Sequence, residues 1–286
     1  MSPQTFEARA DANSVSTRGL PGRLTSEVVN FWRRDLAVAR AGYTAGAALI
    51  ASGLVHLAIL IVSGASWSGP LSWRKPATFG LSFGLTVITI TWVTSFLRLR
   101  DRARSRLLAA FAATSVVETA LVSLQTWRGV PSHFNLETTF DAVVARLLAV
   151  GGGTLIGIIV AFTVMSCRAH PAIPIHLRVA IRVGFLSLCG SLLVGAAMIA
   201  KGMVLVISGH PQAAYAAGGV LKPSHAVLMH GILVLPLFAW FLTLTNWSER
   251  RQLNATVLAA GGYVLVAALT VTLNILRLTP QLPLAR

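Results

Sequence analysis

Long apolar segments alternate with short polar ones along the chain after about residue 40. Seven of these segments are long enough to cross a bilayer, which takes roughly 20 residues at a helical rise of 1.5 Å per residue. Because the bilayer offers no water to the backbone polar groups, such segments fold as helices. The pattern therefore predicts an all-α bundle of seven transmembrane helices, at 41–64, 77–97, 106–125, 141–167, 179–206, 225–246 and 253–276.

Polar and small residues inside the apolar segments recur at steps of three and four, which places them on one face of each helix. The clearest stripes are Lys75, Thr78, Ser82, Thr86 and Thr89 in the second segment, and Gly184, Ser187, Ser191, Met198 and Lys201 in the fifth. Stripes of Ser, Thr and Gly commonly serve close helix–helix packing. They indicate a tightly packed bundle as much as a binding site.

Composition and charge support a membrane protein. Of the 286 residues, 55% are hydrophobic and 12% are charged, and the charged fraction is about half that of a soluble domain. The net charge of +15 comes from basic clusters between the apolar segments, such as 98–106. This arrangement is typical of membrane topology and argues against nucleic-acid binding. Cys167 and Cys189 fit no metal-binding spacing.

The basic residues also predict an orientation. Sixteen of the 24 Lys and Arg fall on one side of the membrane if the N-terminus is cytoplasmic, so we expect an N-in, C-out protein of a bacterial plasma membrane. Residues 1–40 read as a cytoplasmic basic tail without the apolar core of a cleavable signal peptide. Part of this tail, from 26 to 40, could form a short interfacial helix. Residues 41–286 form the predicted transmembrane domain.

The third segment contains a carboxylate, Glu118. An ionisable residue inside a span is costly and marks a functional site by default. With the predicted orientation, nearly all ionisable residues at membrane depth lie in the outer half of the bundle, which predicts a polar pocket open to the outer side. Glu118 is expected to face the bundle interior beside at least one of His56, Lys201 and His230. It could act as a general acid or base, and its candidate catalytic partners are His133, Asp141 and His230.

Several basic residues lie on the side of the membrane where positive charge is disfavoured. Such residues pair with acidic groups, bind an anionic ligand, or extend to the lipid headgroups. We interpret them as contacts of a small amphipathic or anionic ligand. The predicted ligand-binding residues are Lys75, Gln125, Arg128, Asn135, Arg146 and Lys201.

A haem or metal site is an alternative. His56 and His230 come from different helices at similar depth and could be ligands on two sides of a haem or of another metal ion. The chain contains no CxxCH motif for covalent haem attachment and no HExxH motif of a zinc protease. The sequence does not specify a cofactor beyond this pair.

Three functions stay open on the sequence. The protein could perform acid–base chemistry on a lipid or isoprenoid, it could be a bis-histidine haem or metal-binding redox protein, or it could be a transporter or sensor that binds a ligand without chemistry. The odd number of spans shows no two-fold internal repeat, which argues against many transporter folds. The expected partners are the lipid bilayer and a small-molecule or lipid ligand.

Three runs carry a resemblance to a known group of proteins: SWRKPATFGLSFG at Ser72–Gly84, RGVPSHFN at Arg128–Asn135, and MHG at Met229–Gly231. They resemble runs in bacterial seven-helix integral membrane proteins of unassigned function. The resemblance covers about the first six helices. It implies the same architecture and supplies no catalytic residues.

Overall fold

A computed structural model of the chain describes residues 36–69, 71–168, 170–217 and 219–278. Within these ranges the protein contains eight helices and no strand. The predicted interfacial helix and most of the predicted basic tail lie outside the described residues.

Seven of the eight helices are long and apolar enough to span a bilayer, which confirms the prediction of an all-α seven-helix bundle. They are α1 Ala37–Val62, α2 Arg74–Val93, α3 Asp101–Trp127, α4 Thr139–Ser166, α5 Ile175–Ile207, α7 Lys222–Thr243 and α8 Glu249–Leu278. A 3-10 turn, Thr94–Phe96, extends α2, and the short helix α6, Pro211–Ala217, connects α5 to α7. With 33 residues, α5 is roughly 50 Å long, so it exceeds the hydrocarbon layer and reaches the headgroup region.

Glycines bring α1 and α2 into close contact along their length. A Cβ added at Gly80 of α2 would lie 2.7 Å from the Cα of Gly53, and one at Gly84 would lie 2.6 Å from the carbonyl oxygen of Gly46. The two backbones therefore touch directly, as in other membrane interfaces built from small residues.

The small-residue stripe of the fifth segment packs α5 against α7. Ser187 Oγ donates a hydrogen bond to the carbonyl of Leu228 at 2.7 Å, and Ser191 Oγ donates to the carbonyl of His225 at 2.8 Å. The Nδ1–H of His225 donates in return to the carbonyl of Ser191, also at 2.8 Å. This stripe is a helix–helix interface, because its hydroxyls are satisfied by the neighbouring helix.

The bundle consists of two groups of helices. In one group α1, α2 and α3 contact one another, in the other α5, α7 and α8 do so, and α4 joins the groups by packing against α3 and α5. We name the two ends of the bundle by their connections: the α1–α2 end, which the sequence predicts to face outward, and the α2–α3 end. The main apolar core, around Phe162 and Phe185, lies toward the α2–α3 end. Buried polar side chains occur at both ends of the bundle, and those at the α1–α2 end include His56, Gln125, Asn135 and Asp141.

Candidate functional site

A polar cluster joins α3 to the start of α4 at the α1–α2 end. The carboxylate of Asp141, which is 2% exposed, accepts hydrogen bonds through Oδ1 from Gln125 at 2.8 Å and from Arg128 at 2.6 Å. Its Oδ2 accepts from the hydroxyl of Thr138 at 2.6 Å. Thr138 is also the N-cap of α4, where its hydroxyl accepts from the backbone N–H of Asp141 at 3.1 Å. Both carboxylate oxygens of Asp141 are thus used in holding the two helices together.

Arg128 Nη1 and Gln125 Nε2 both donate within this cluster. Arg128 Nη1 also donates to the side-chain oxygen of Gln125, and the guanidinium lies over the ring of Phe140 at 4.6 Å from the ring centroid. Of the predicted ligand contacts, Gln125 and Arg128 therefore serve first to position Asp141.

Two tryptophans enclose His56. Its Nδ1–H donates to the carbonyl of Ser52 at 2.8 Å, and its Nε2 accepts from the indole N–H of Trp127 at 3.2 Å. The ring also stacks on Trp73, with centroids 6.0 Å apart. Both ring nitrogens are used and the residue is 6% exposed, so the His56 ring joins α1, α2 and α3.

The second predicted haem ligand, His230, belongs to the other group of helices. It is exposed on α7, where its Nδ1–H donates to the carbonyl of Ala226 at 2.6 Å. In addition, α1 packs against α2 and α3, whereas α7 packs mainly against α5 and α8. In the part of the chain that the structure describes, no three His, Cys, Asp or Glu side chains group together to hold a metal. The pairing of His56 with His230 around a haem or metal ion stays a prediction.

Basic side chains converge at the α1–α2 end. Lys75 and Lys222, in the first turns of α2 and α7, are close enough for their charges to interact, and the charge of Arg74 acts on Lys222. Neither first turn contains an acidic residue. Neither lysine forms an ion pair or a side-chain hydrogen bond with any described residue. We call Lys75 and Lys222 the lysine pair.

The α3–α4 loop, residues 128–138, crosses this end of the bundle from α2 to α5. The ring of His133 lies 5.9 Å from that of Phe79 on α2, and Phe134 packs so closely on Gly202 of α5 that a Cβ there would collide with its ring. The backbone of Phe134 has a φ of 63°, a left-handed conformation that is uncommon for an aromatic residue. The loop therefore holds its conformation by packing on both groups of helices.

The environment of His133 keeps it neutral. Burial lowers the pKa of His133 well below its usual value, and the positive charge of Lys75 lowers it further. The hydroxyl of Ser132 lies 3.0 Å from its Nδ1. A neutral imidazole beside the lysine pair can donate or accept a hydrogen bond without adding charge.

Two buried polar side chains at this end of the bundle lack a partner among the described residues. Asn135 is fully buried: its Oδ1 accepts from the backbone N–H of Glu137 at 3.1 Å, whereas its Nδ2 has no partner among the described residues. The hydroxyl of Ser224, two residues after Lys222, is likewise buried and unpaired. Leaving a buried donor unsatisfied costs about 1–3 kcal/mol, so these groups are candidates to bind a ligand.

Glu118 faces the interior of the bundle and is 5% exposed. Its carboxyl lies against the backbone of α4 at Gly151, where an added Cβ would overlap with Oε1. This oxygen has no hydrogen-bond partner among the described residues. An apolar layer that includes Val122 and Val144 lies between Glu118 and the Asp141 cluster along both helices.

Glu118 forms no ion pair and no hydrogen bond with the side chain of a described residue. Its carboxyl lies at the backbone of α4 by Gly151 and Gly152. The expectation that at least one of His56, Lys201 and His230 lies beside Glu118 stays a prediction. Asp141, another candidate partner, lies on the far side of the apolar layer that includes Val122 and Val144.

Two further predicted ligand-binding residues, Arg146 and Lys201, do not belong to the lysine pair. Arg146 is exposed on α4, so it lies on the outer surface of the bundle, where a long cation extends toward the headgroups. Lys201 is half-buried on α5, next to Gly202 and therefore to the α3–α4 loop. Neither forms an ion pair or side-chain hydrogen bond within the described part of the chain.

The sequence interpretation omitted Lys222 and Arg74 from the site. The predicted spans began at 77 and 225, whereas α2 and α7 begin at Arg74 and Lys222. The signal was present, because Pro76 and Pro223 stand where a first helical turn accepts proline. The sequence already predicts Lys75 and Lys222 at the same end of the bundle, and starting both helices at these turns also puts each lysine in a first helical turn.

The resemblance of the three sequence runs to bacterial seven-helix membrane proteins stays a prediction. No protein-family model, curated protein or solved structure matches it.

Proposed function

We propose that this integral membrane protein binds a small amphipathic anion at the α1–α2 end, with the acidic group of the ligand between Lys75 and Lys222. One observation carries the proposal: α2 and α7 are in contact, Lys75 and Lys222 stand in the first turns of these helices within range of each other's charge, and neither has an acidic partner among the described residues. Like charges at short distance repel each other, and an anion between them removes that repulsion. The first turns of α2 and α7 add the positive partial charge of two helix N-termini.

The groups around the lysine pair suit such a ligand. Asn135 Nδ2 is buried without an acceptor, and the neutral ring of His133 lies beside Lys75. An apolar cluster that includes Phe79, Val122 and Val144 lies next to these groups, on the side toward the membrane centre. This order of charge, neutral donors and apolar surface matches a molecule with an acidic head and an apolar tail.

Two measurements test the binding. First, the unfolding midpoint of the purified protein is recorded with dodecyl phosphate, with laurate and with the uncharged dodecyl maltoside. We expect the anions alone to raise the midpoint, and we expect Lys75→Gln and Lys222→Gln each to weaken the effect about tenfold, which corresponds to 1.4 kcal/mol. The control is Arg277→Gln, which removes an exposed cation at the same end.

Second, mass spectrometry of the co-purified small molecules compares wild type with these variants. We expect an anionic amphipath that is depleted in the lysine variants and retained in Arg277→Gln. Equal retention and equal stabilisation in a Lys75→Gln/Lys222→Gln protein would refute the proposal.

A second function, acid–base chemistry on the bound ligand, is favoured by the unpaired oxygen of Glu118. Glu118 is seven residues from Gln125 along α3, which is roughly 10 Å, within the length of an acyl or isoprenoid tail. If Glu118 reacts with the ligand, Glu118→Gln retains binding and accumulates an unconverted species in the co-purified fraction. Identical species in wild type and variant would instead assign the site to binding alone, as in a transporter or sensor.

A further inference from the structure

A recess opens at the α2–α3 end, on the opposite side of the bundle from the lysine pair. It lies between the 3-10 turn that follows α2, the end of α4 and the first turns of α5. Part of its wall is apolar and is formed by Phe96, Leu97, Met165 and Ile181.

The rest of the wall is basic. Arg98, Arg168, Arg178 and His170 line the recess, and no acidic residue is among the described residues that do so. None of the three arginine side chains forms an ion pair or hydrogen bond with a described residue. Burial lowers the pKa of His170, and the charges of Arg98 and Arg178 lower it further. Positive charge is thus crowded into this space without a counter-charge.

Two buried nitrogen atoms at the recess have no hydrogen-bond partner among the described residues. They are Nε of Arg178 and Nδ1 of His170. A buried donor without an acceptor costs about 1–3 kcal/mol, and more when it is charged. An acceptor with several oxygen atoms would satisfy both groups.

The arginines are not explained by capping of the nearby helix end. Arginine side chains often bond the last carbonyls of a helix, and Arg182 does so here. Its Nε donates to the carbonyl of Ser166 at 2.9 Å, and its terminal nitrogen donates to that of Cys167 at 3.1 Å. Arg178, one turn earlier on α5, is left for another partner.

We propose that this recess binds a phosphate group, held by Arg98 and Arg178 and completed by Arg168 and His170. Arginine is the preferred side chain for phosphate, because its planar fork donates two parallel hydrogen bonds. The phosphate could belong to the headgroup of an anionic lipid, since basic pockets between transmembrane helices with an apolar wall bind such headgroups. It could equally be a soluble phosphate, which has the same chemistry. The proposal does not depend on the lysine pair.

The test measures thermal stabilisation of the full-length protein in detergent. One arm titrates dioctanoyl phosphatidic acid against dioctanoyl phosphatidylcholine, and the other titrates inorganic phosphate against sodium chloride of equal ionic strength. We expect phosphatidic acid to stabilise the wild-type protein in the first arm. Stabilisation by inorganic phosphate as well assigns the site to phosphate in general, whereas its failure in that arm assigns the site to lipid headgroups.

Variants locate the effect at the recess. We expect Arg178→Gln to weaken the apparent affinity about tenfold, equivalent to 1.4 kcal/mol, and Arg98→Gln to weaken it in the same direction. Arg98 is exposed, so its variant keeps the test decisive if Arg178→Gln does not fold. Arg250→Gln removes an exposed cation at the same end and is expected to bind like wild type.

Binding at the recess is distinguished from binding at the lysine pair by repeating the titration in a Lys75→Gln protein. The loss caused by Arg98→Gln is expected to be the same with and without Lys75→Gln, because the two sites are at opposite ends. The proposal is overturned if neither probe stabilises the wild-type protein, or if Arg98→Gln and Arg178→Gln both bind like wild type.

Discussion

The indole N–H of Trp127 donates a hydrogen bond to Nε2 of His56 at 3.2 Å, which joins the end of α3 to α1. Trp127→Phe keeps an aromatic ring but removes the donor, and it leaves a buried nitrogen unpaired. We expect the free energy of unfolding to fall by about 1–3 kcal/mol, measured by thermal or denaturant unfolding. Trp67→Phe is the control, because Trp67 is 59% exposed at the same end. Equal losses in both variants would show that this hydrogen bond does not contribute to stability.

The glycine contact between α1 and α2 predicts a large effect of one methyl group. In Gly80→Ala the new Cβ would meet the backbone of Gly53 at 2.7 Å, and backbone cannot turn away as a side chain can. We expect a loss of about 1–3 kcal/mol, seen as a lower unfolding midpoint. Gly261→Ala is the matched control, since nothing lies within 4 Å of a Cβ at that position on α8. An unchanged midpoint in Gly80→Ala would contradict the close packing described above.

The position of Glu118 can be tested through Gly151. In Gly151→Ala the methyl group would overlap with Oε1 of Glu118, so the carboxyl must rotate. We expect a loss of about 1 kcal/mol, smaller than at Gly80 because a flexible side chain gives way. A double-mutant cycle with Glu118→Ala should show coupling, since removing the carboxyl makes room for the methyl group. Gly153→Ala is the control, because nothing lies within 4 Å of a Cβ at that position, and its effect should add to that of Glu118→Ala. If the effects of Gly151→Ala and Glu118→Ala also add, the carboxyl of Glu118 does not lie at Gly151.

His133 predicts a pH dependence of stability. Its pKa in the folded protein lies well below the usual value of 6.5, so below pH 6.5 the unfolded chain takes up a proton that the folded protein does not. Stability therefore falls as the pH drops below that value, by up to about 1.4 kcal/mol per pH unit from this group. Unfolding measured between pH 7.5 and 5 should show a weaker slope in His133→Gln. His210→Gln, which replaces an exposed histidine at the same end, should keep the wild-type slope.

The seven spans could be predicted because the bilayer leaves a chain few choices: an apolar segment of sufficient length has to be a helix. The ends of the helices were harder to predict from the sequence. The first turns of α2 and α7 carry Lys, Arg and Pro, which lower the hydropathy of a window without opposing a helix. As a result, Lys222 was assigned to a loop, and its proximity to Lys75 was missed.

The site was only partly predictable, because the rotation of each helix about its axis depends on its neighbours. Glu118 faces the interior, as the cost of a carboxyl in lipid requires. Arg146 and His230 are also polar residues within spans, yet their side chains are exposed on the surface of the bundle. The rotation of α7 is fixed by contacts such as that of Ser187 with Leu228. One glycine of α4, Gly151, makes room for the carboxyl of Glu118.

The glycine contact between α1 and α2 also bears on how the protein is made. It joins two helices that follow each other in the chain, so the contact can form in the membrane as soon as α2 has been synthesised, before α3 supplies Glu118 and before α7 supplies Lys222. Lys75 enters the membrane with α2, whereas Lys222 joins it only after the sixth span has been inserted. A truncated product would therefore contain the first helical hairpin without the lysine pair, and the proposed ligand would distinguish a nearly complete chain from an interrupted one.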